Sequence, residues 1–459
     1  MKNIHPRKSI TMKKQVINIM GAGLCGSLFS IMLAKQGFSV IVRERRSNPN
    51  SNIGAKEAGK SINLAMSVRG INALKYAGIF KEVEPLLIPM KGRMLHYQDG
   101  RNELQSYGQH KNEFIYSISR SRLNHMLVDA AENFGVDVKF EHTIVSYDEQ
   151  QTIGIKSPEG KYKLKAEKII LADGSSSLIR RSYNESDPIF PKEYILPHSY
   201  KELSIPANEN GSFKIEKNAL HVWPRGQFML IALPNPEGDF TLTLFMPTEG
   251  EKSFSALEKE KDIEEFFSEY FSDALPLIPD LTSQFTNNPT GSLRTIRCKH
   301  WHDKDNFLLI GDAAHAMVPF HAQGMNSAFD DCVLLDTIIK NNNDWHDIYQ
   351  KFEETQLPNA HAIQDMALEN YIEMRDGVLD KKYSLKKELS FALEKHLPSY
   401  FIPRYSMVMF HGEIPYSVSQ ERGEIQKEIL DELTRNRDNL NQIDFNQAEK
   451  IIKQKLTPL

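Results

Sequence analysis

Cysteine is scarce in this chain: Cys25, Cys298 and Cys332 are the only three among 459 residues, widely spaced and without a C-x-x-C pair. That argues against a disulfide framework, a zinc site or a redox-active dithiol, and a reducing cytoplasm is the expected setting. Long apolar runs are also missing. Nothing approaches the roughly 18 uninterrupted apolar residues of a spanning helix, so neither membrane insertion nor a membrane anchor is expected. Charge of one sign is not in excess either, with 56 Lys and Arg against 60 Asp and Glu and a formal charge of −4. Without a dominant basic block, neither nucleic acid nor an anionic membrane surface is indicated as a partner. The first eleven residues are polar and mildly basic with no apolar core, so no signal peptide or signal anchor is expected there, and Met12 is a candidate start. What remains is a chain with 40% hydrophobic residues, long enough for two or three domains and suited to small-molecule partners.

Gln15 to Met20 has the composition of a strand, and Gly21-Ala-Gly23-Leu24-Cys-Gly26 follows it directly, opening a helix that ends at Gly37. Ser39 to Arg43 is a second strand, delivering Glu44 at its end. Glycines here permit a tight turn and close approach of the backbone to a pyrophosphate, and an acid roughly 20 residues on can hold ribose hydroxyls. Strand, turn, helix, strand and acid in that order predict binding of an adenosine diphosphate. This unit alone does not separate NAD from FAD.

Two later stretches extend the same site. Lys168 to Ala172 reads as a buried strand, and Asp173-Gly174 follows as a polar turn entering a helix. Far downstream, Asn306 to Ile310 is apolar, and Gly311-Asp312-Ala-Ala-His315-Ala-Met-Val-Pro319-Phe320-His321-Ala-Gln-Gly324-Met325-Asn326 then leads into a helical pattern. Asp312 can accept hydrogen bonds from ligand hydroxyls. Gly324, Met325 and Asn326 would aim free backbone N–H groups at an electron-rich ring. A ligand touched by segments almost 300 residues apart must be long, as FAD is. No second dinucleotide fingerprint accompanies it.

These three segments resemble those of the single-component flavoprotein aromatic hydroxylases. Further runs are similar to the kynurenine-hydroxylating branch of that family: Lys60 to Ala65, Lys91 to Met94, Arg120 to Leu123, Asn218 to Pro224, Ala367 to Met374 and Phe401 to Met407. The resemblance spans about Gln15 to Gly423. It implies an α/β fold with a discontinuous Rossmann-like FAD-binding domain (1–190 and 290–343), a β-rich substrate domain (191–289) and a C-terminal helical region (344–459). It implies FAD as cofactor with Arg120 among its contacts, NADPH as transient co-substrate, and L-kynurenine as the molecule hydroxylated with O₂ through a hydroperoxide formed on the flavin. Because the cofactor performs the hard step, no catalytic acid, base or metal is expected.

The resemblance also assigns substrate contacts. A lone arginine is usually solvated or structurally paired, but Arg93 with Tyr107 matches positions that hold the amino-acid carboxylate, which a guanidinium fork can meet bidentately. Ile363, Ala367, Asn370 and Met374 form a stripe at helical spacing. Asn370 is a polar group on that apolar face, and either a structural bond or a ligand would satisfy it; the resemblance implies a substrate contact, with Tyr405 another. Strand-like His221 to Leu233 and Phe240 to Met246 are joined by a Pro-Asn-Pro-Glu-Gly hairpin signal. Ile231 and Leu233, with Thr243 and Phe245, could each pack in a core as readily as wall the substrate, and as a set the resemblance favours a substrate wall. Pro319 and Phe320 should border the oxygen-transfer side, with His321 and His315 beside them in packing or hydrogen-bonding roles.

Departures from the family pattern are Lys60, Ala316, Ala322 and Asp330, where arginine, proline, glycine and glutamate are usual. A methyl at 322 would strain the turn if positive φ is needed. Gln420 to Leu433 is expected to form an amphipathic helix over the substrate mouth, whose removal together with the rest of the C-terminus would raise peroxide release. The alternatives are a related hydroxylase acting on another amino- or hydroxy-aromatic acid, or a catalytically silent flavin-binding redox sensor. A flavin halogenase fits poorly, because Trp223, Trp301 and Trp345 are isolated and the Trp-x-Trp-x-Ile-Pro signature is absent.

Overall fold

The computed structural model describes residues 15–51, 63–148, 152–165, 168–183, 187, 189, 191–376 and 381–459, without the side chains of 374–376 and 381. Lys60 lies outside the described residues, as does the Met374 side chain.

Four parallel strands built from apolar runs form the centre of a six-stranded sheet: Phe307–Leu309, Ile169–Leu171, Val16–Met20 and Ser39–Arg43, in that spatial order. Asp137–Lys139 extends it in parallel at one edge, and His302–Asp303 closes the other edge in antiparallel. The central strands are buried on both faces, as helix-covered parallel strands must be. Helices Leu24–Lys35 and Gly324–Asn341 pack together beside the sheet. Gly21, at φ 103°, turns the chain out of its strand, and a Cβ on Gly26 would come within 2.0 Å of the Gly21 carbonyl oxygen, so the helix can start this close to the strand only with glycine there.

A second sheet of seven strands has the order Thr290–Arg297, Lys192–Ile205, Phe240–Pro247, Phe228–Pro234, Leu220–Arg225, Gly92–His96, Asn102–Ser106. Its membership differs from the expected boundaries. Residues 92–106 and 290–297 were placed with the cofactor unit, yet Leu220 pairs in parallel with Arg93, and Lys192 pairs with Arg297. Alternating hydrophobicity marks a strand without naming its sheet. The stretch 221–233 is likewise two strands, broken at Gly226 with φ 68°. Helices Glu260–Tyr270 and Leu281–Asn287 cover one face through a core containing Trp223, Phe240 and Phe267.

The C-terminal part is helical: Trp345–Asp376, which carries Pro358 within it, then Lys381–His396, Arg404–Phe410, Tyr416–Thr434 and Phe445–Lys455. Ile429 and Leu433 share a core with Leu389, Leu393, Phe401 and Ile452.

Candidate active site

The carboxyl ends of the central parallel strands lie along one edge of the first sheet, where open α/β sheets bind ligands. Each end delivers residues expected from the sequence: Gly21, Gly23 and Leu24 after the first strand, Glu44 after the second, Asp173 and Gly174 after the third, and Asp312 after the fourth. Ile310 N–H donates to the Leu171 carbonyl at 3.0 Å, which joins the late segment to the earlier one. A cleft of about 140 Å³ opens there, lined by Gly23, Leu24, Glu44 and Arg120. It is also lined by Arg46 and Asn124, which sequence reasoning missed. Arg46 follows Glu44 by two residues, and Asn124 stands one helical turn beyond Arg120; both spacings were visible, but neither residue type marks a site alone.

Glu44 is buried and accepts from the Ala22 N–H at 2.8 Å and from Arg46 Nε at 2.8 Å. Burial opposes its charge, but Arg46 and the two N–H groups outweigh it and hold the carboxyl below its usual range. Each oxygen keeps acceptor capacity for a ligand hydroxyl.

The cradle fits a dinucleotide. Among the described residues, a Cβ built on Gly23 or Gly174 would touch nothing within 4 Å, and one on Gly324 would meet only the Met317 side chain at 3.9 Å. Asp173 is turned inward with Oδ1 unpartnered among the described residues, and burial pushes its carboxyl up to about 6. Asp312 is exposed at the strand end. Helix Gly324–Asn341 opens with the N–H groups of Gly324, Met325 and Asn326 in its first turn, carrying about half a positive charge. The Asn326 side chain is engaged elsewhere: it accepts from Ser67 N–H at 3.0 Å and donates to the carbonyls of Ala65 and Ala322, so it ties the helix start to the neighbouring segment.

Between that helix start and the second sheet runs the short helical turn Pro319–His321, with Pro319 exposed and Phe320 buried. Ala322 follows at φ 54°, the left-handed conformation that the alanine was expected to find costly. Beyond the turn is a cavity of about 580 Å³ lined by Arg93, Tyr107, His321, Asn370 and Tyr405. Five expected residues, from five separate stretches of chain, therefore line one cavity. The Arg93 guanidinium lies 5.8 Å from the Tyr107 ring centroid and 5.2 Å from that of Tyr405. Arg93 Nε and the Tyr107 hydroxyl are buried and have no hydrogen-bond partner within bonding geometry among the described residues. Burial opposes the Arg93 charge, but the phenols and Glu373 keep its pKa above the ordinary value. A guanidinium beside two phenols has the chemistry to meet an anion with paired oxygens.

Other expected residues stand behind the wall. Asn370 Nδ2 donates to the Phe320 carbonyl at 2.6 Å, so it makes the structural bond offered as one of its two readings while also lining the cavity. Ile231, Leu233, Thr243, Phe245, Pro319 and Phe320 do not line the cavity. Ile231 and Leu233 pack in the same apolar cluster as Tyr107 and Tyr405; Thr243 is buried opposite Ile231, and the Phe245 and Phe320 rings lie 5.0 Å apart. Alternation identified their shared face, but cannot separate contact with a ligand from packing one layer back. His315 faces away: Nε2 meets Asp331 Oδ2 at 2.7 Å, both almost fully buried. Although burial disfavours an imidazolium, the Asp331 carboxylate raises its pKa.

Tyr383, Lys387 and Ser390 also line the cavity and were missed. Their spacing of four and three puts them on one helix face, but polar residues so spaced usually face solvent. Tyr383 donates to Glu373 Oε1 at 2.7 Å, while burial and then Arg93 push Lys387 down to about 8. Helix Tyr416–Thr434 contributes Gly423, Gln426, Lys427 and Leu430, at the place proposed for the amphipathic cover.

A glycine-lined cradle at a parallel sheet edge, joined through the Pro319–His321 turn to a partly open cavity lined by both polar and apolar side chains, is the layout of an FAD-dependent monooxygenase. Residues 13–341 match the family model described as FAD binding domain. The fold is that of 2-methyl-3-hydroxypyridine-5-carboxylic acid oxygenase, with a TM-score of 0.65 at 19% identity over 82% of this chain and 96% of that one. Kynurenine 3-monooxygenase of Stenotrophomonas maltophilia (strain K279a) is 43% identical over 96% of this chain and 97% of its own length. The Myxococcus xanthus (strain DK1622) enzyme of the same name is 40% identical over 97% and 96%. The chain belongs to the kynurenine 3-monooxygenase family of FAD-dependent hydroxylases. No helix among the described residues is long and apolar enough to cross a membrane.

Proposed function

We propose that this chain hydroxylates L-kynurenine on the aromatic ring, ortho to the amino group, giving 3-hydroxykynurenine at the expense of NADPH and O₂. The observation that carries the substrate assignment is the buried Arg93 with its unpartnered Nε beside the unpartnered Tyr107 hydroxyl. Bound FAD supplies the redox chemistry, accepting a hydride from NADPH and activating O₂ for transfer.

The protein's share is placement. Gly21, Gly23, Leu24 and Gly26, with Glu44, Arg120, Asp173, Gly174 and Asp312, would hold the cofactor along the sheet edge, while the N–H groups of Gly324 to Asn326 favour negative charge on the reduced ring. Arg93 and Tyr107 would bind the substrate carboxylate, with Asn370 and Tyr405 beside them. The Ile231, Leu233, Thr243 and Phe245 layer and Pro319 to His321 would keep water from the reacting ring. An aniline activates its own ortho carbon, so no protein base is required.

Arg93→Ala tests the carboxylate contact. With FAD content unchanged, the L-kynurenine concentration required for half-maximal turnover should rise roughly 100-fold, the equivalent of ~3 kcal/mol for a charge-assisted pair. An unchanged requirement would remove Arg93 from the site.

A further inference from the structure

Tyr416, Arg69 and Gln323, all buried, meet the partly exposed Asp330 at the side of helix Gly324–Asn341 (the flavin helix), outside the cofactor cradle and the substrate wall described above. Tyr416 begins the C-terminal helix Tyr416–Thr434, is 1% exposed, and donates its hydroxyl to Gln323 Oε1 at 2.7 Å. Gln323 is fully buried, precedes the first residue of helix Gly324–Asn341, and directs its Nε2 at Met409 Sδ, 2.9 Å away. The Arg69 guanidinium lies 3.9 Å from the Tyr416 ring centroid and pairs with Asp330, on the same flavin helix, at 2.7 Å. It also donates to the carbonyls of Gly412 and Ile414, just before Tyr416.

The turn that Gln323 ends is held from its other side by the substrate wall. Asn370 grips the Phe320 carbonyl, and the His321 ring stacks on Tyr405 with centroids 5.6 Å apart. Ala322 is kept in a left-handed conformation between these clamps, a state that persists only where its surroundings determine it. Two turns further along, the Tyr416 helix reaches the substrate cavity at Gly423 and Gln426. One helix therefore touches the cavity with its middle and the flavin turn with its first side chain.

We propose that Tyr416 is a positioning residue: through Gln323 it fixes the 319–323 turn and the start of the flavin helix in the arrangement that directs oxygen to the substrate instead of releasing it as peroxide. This rests on the function proposed above. In the productive reaction NADPH, H⁺, O₂ and the aromatic C–H give NADP⁺, the phenol and water; one oxygen atom enters the ring and the other leaves as water. In the unproductive one NADPH, H⁺ and O₂ give NADP⁺ and H₂O₂, with no change to the substrate. Loss of the Tyr416 hydroxyl leaves a buried amide oxygen without a donor, and the turn relaxes toward the second outcome.

Tyr416→Phe keeps the ring under Arg69 and removes only the hydrogen bond. In the FAD-loaded enzyme with saturating L-kynurenine and NADPH, FAD content and kynurenine affinity should hold and the melting temperature should fall by only a few degrees, while the ratio of peroxide to hydroxylated product rises roughly tenfold. An unchanged ratio would overturn the assignment. Gln323→Met removes the acceptor at similar volume and should raise the ratio to a similar extent, and the double variant should go no further; additive effects would show that the two residues act separately and would also overturn it. Failure of the function itself would appear in the unaltered enzyme as absence of hydroxylated product, whereas failure of the Tyr416 assignment appears only in the variants.

Discussion

His321 shows how burial decides a side chain's chemistry in this site. It lies in the cavity wall, and burial, followed by the positive charges of Arg404 and Arg93, pushes its pKa down to about 3 from an ordinary 6.5. It is therefore neutral at physiological pH and presents a flat uncharged ring to the cavity, a poor proton donor beside the Arg93 guanidinium. Between about 3 and 6.5 the unfolded chain binds a proton that the folded chain does not, so His321 destabilises the fold as pH falls through that window, by up to about 1.4 kcal/mol per pH unit. Asp173 and Asp330, both pushed up to about 6 by burial, act with the opposite sign, so the test is a difference between proteins. His321→Phe keeps the ring on Tyr405 but cannot titrate. Urea-unfolding free energies should fall more steeply on acidification from about pH 6.5 in the unaltered protein than in the variant; equal slopes would contradict a buried neutral histidine.

The decisive element is the Pro319–His321 turn with Ala322. Its importance was legible because apolar Met317 to Phe320 sits between an acid and a glycine helix start. The strain was legible only as a condition: glycine is usual at 322, and the cost depended on a positive φ that no sequence pattern reveals. The structure supplies φ 54°. Ala322→Gly should therefore stabilise the fold by about 1 kcal/mol, the left-handed penalty less the added chain entropy of glycine, and raise the melting temperature. A lower melting temperature would mean that the methyl's packing outweighs the strain. The C-terminal helix was also readable, as the amphipathic stretch Gln420 to Leu433, but its starting residue was not. Tyr416 bonds to Gln323, far away in sequence, and Ile429 and Leu433 share a core with Phe401 and Ile452. Removing residues 420–459 would thus expose a core as well as open the mouth, and a single hydroxyl is the cleaner probe of coupling.

Across the whole molecule, local order in the sequence accounts for the cofactor edge: each central strand ends in the residues that were singled out, and parallel pairing brings the late segment at 311 beside the one at 173. The substrate half was less legible because its sheet is assembled from a distance. Strand Gly92–His96 carries Arg93 into that sheet by pairing in parallel with Leu220–Arg225, and no periodicity in residues 92–106 distinguishes that partner from the nearer strands. Arg93 and Tyr107 were reached through family likeness, and the structure brings both to the lining of one cavity.

The measurement that tests this account most directly is aerobic turnover of L-kynurenine by the FAD-loaded protein with NADPH, followed by mass spectrometry with peroxide measured in parallel. The account predicts a kynurenine product heavier by one oxygen atom, hydroxylated on the ring beside the amino group. NADPH consumed for peroxide alone, or no consumption that depends on kynurenine, would contradict it.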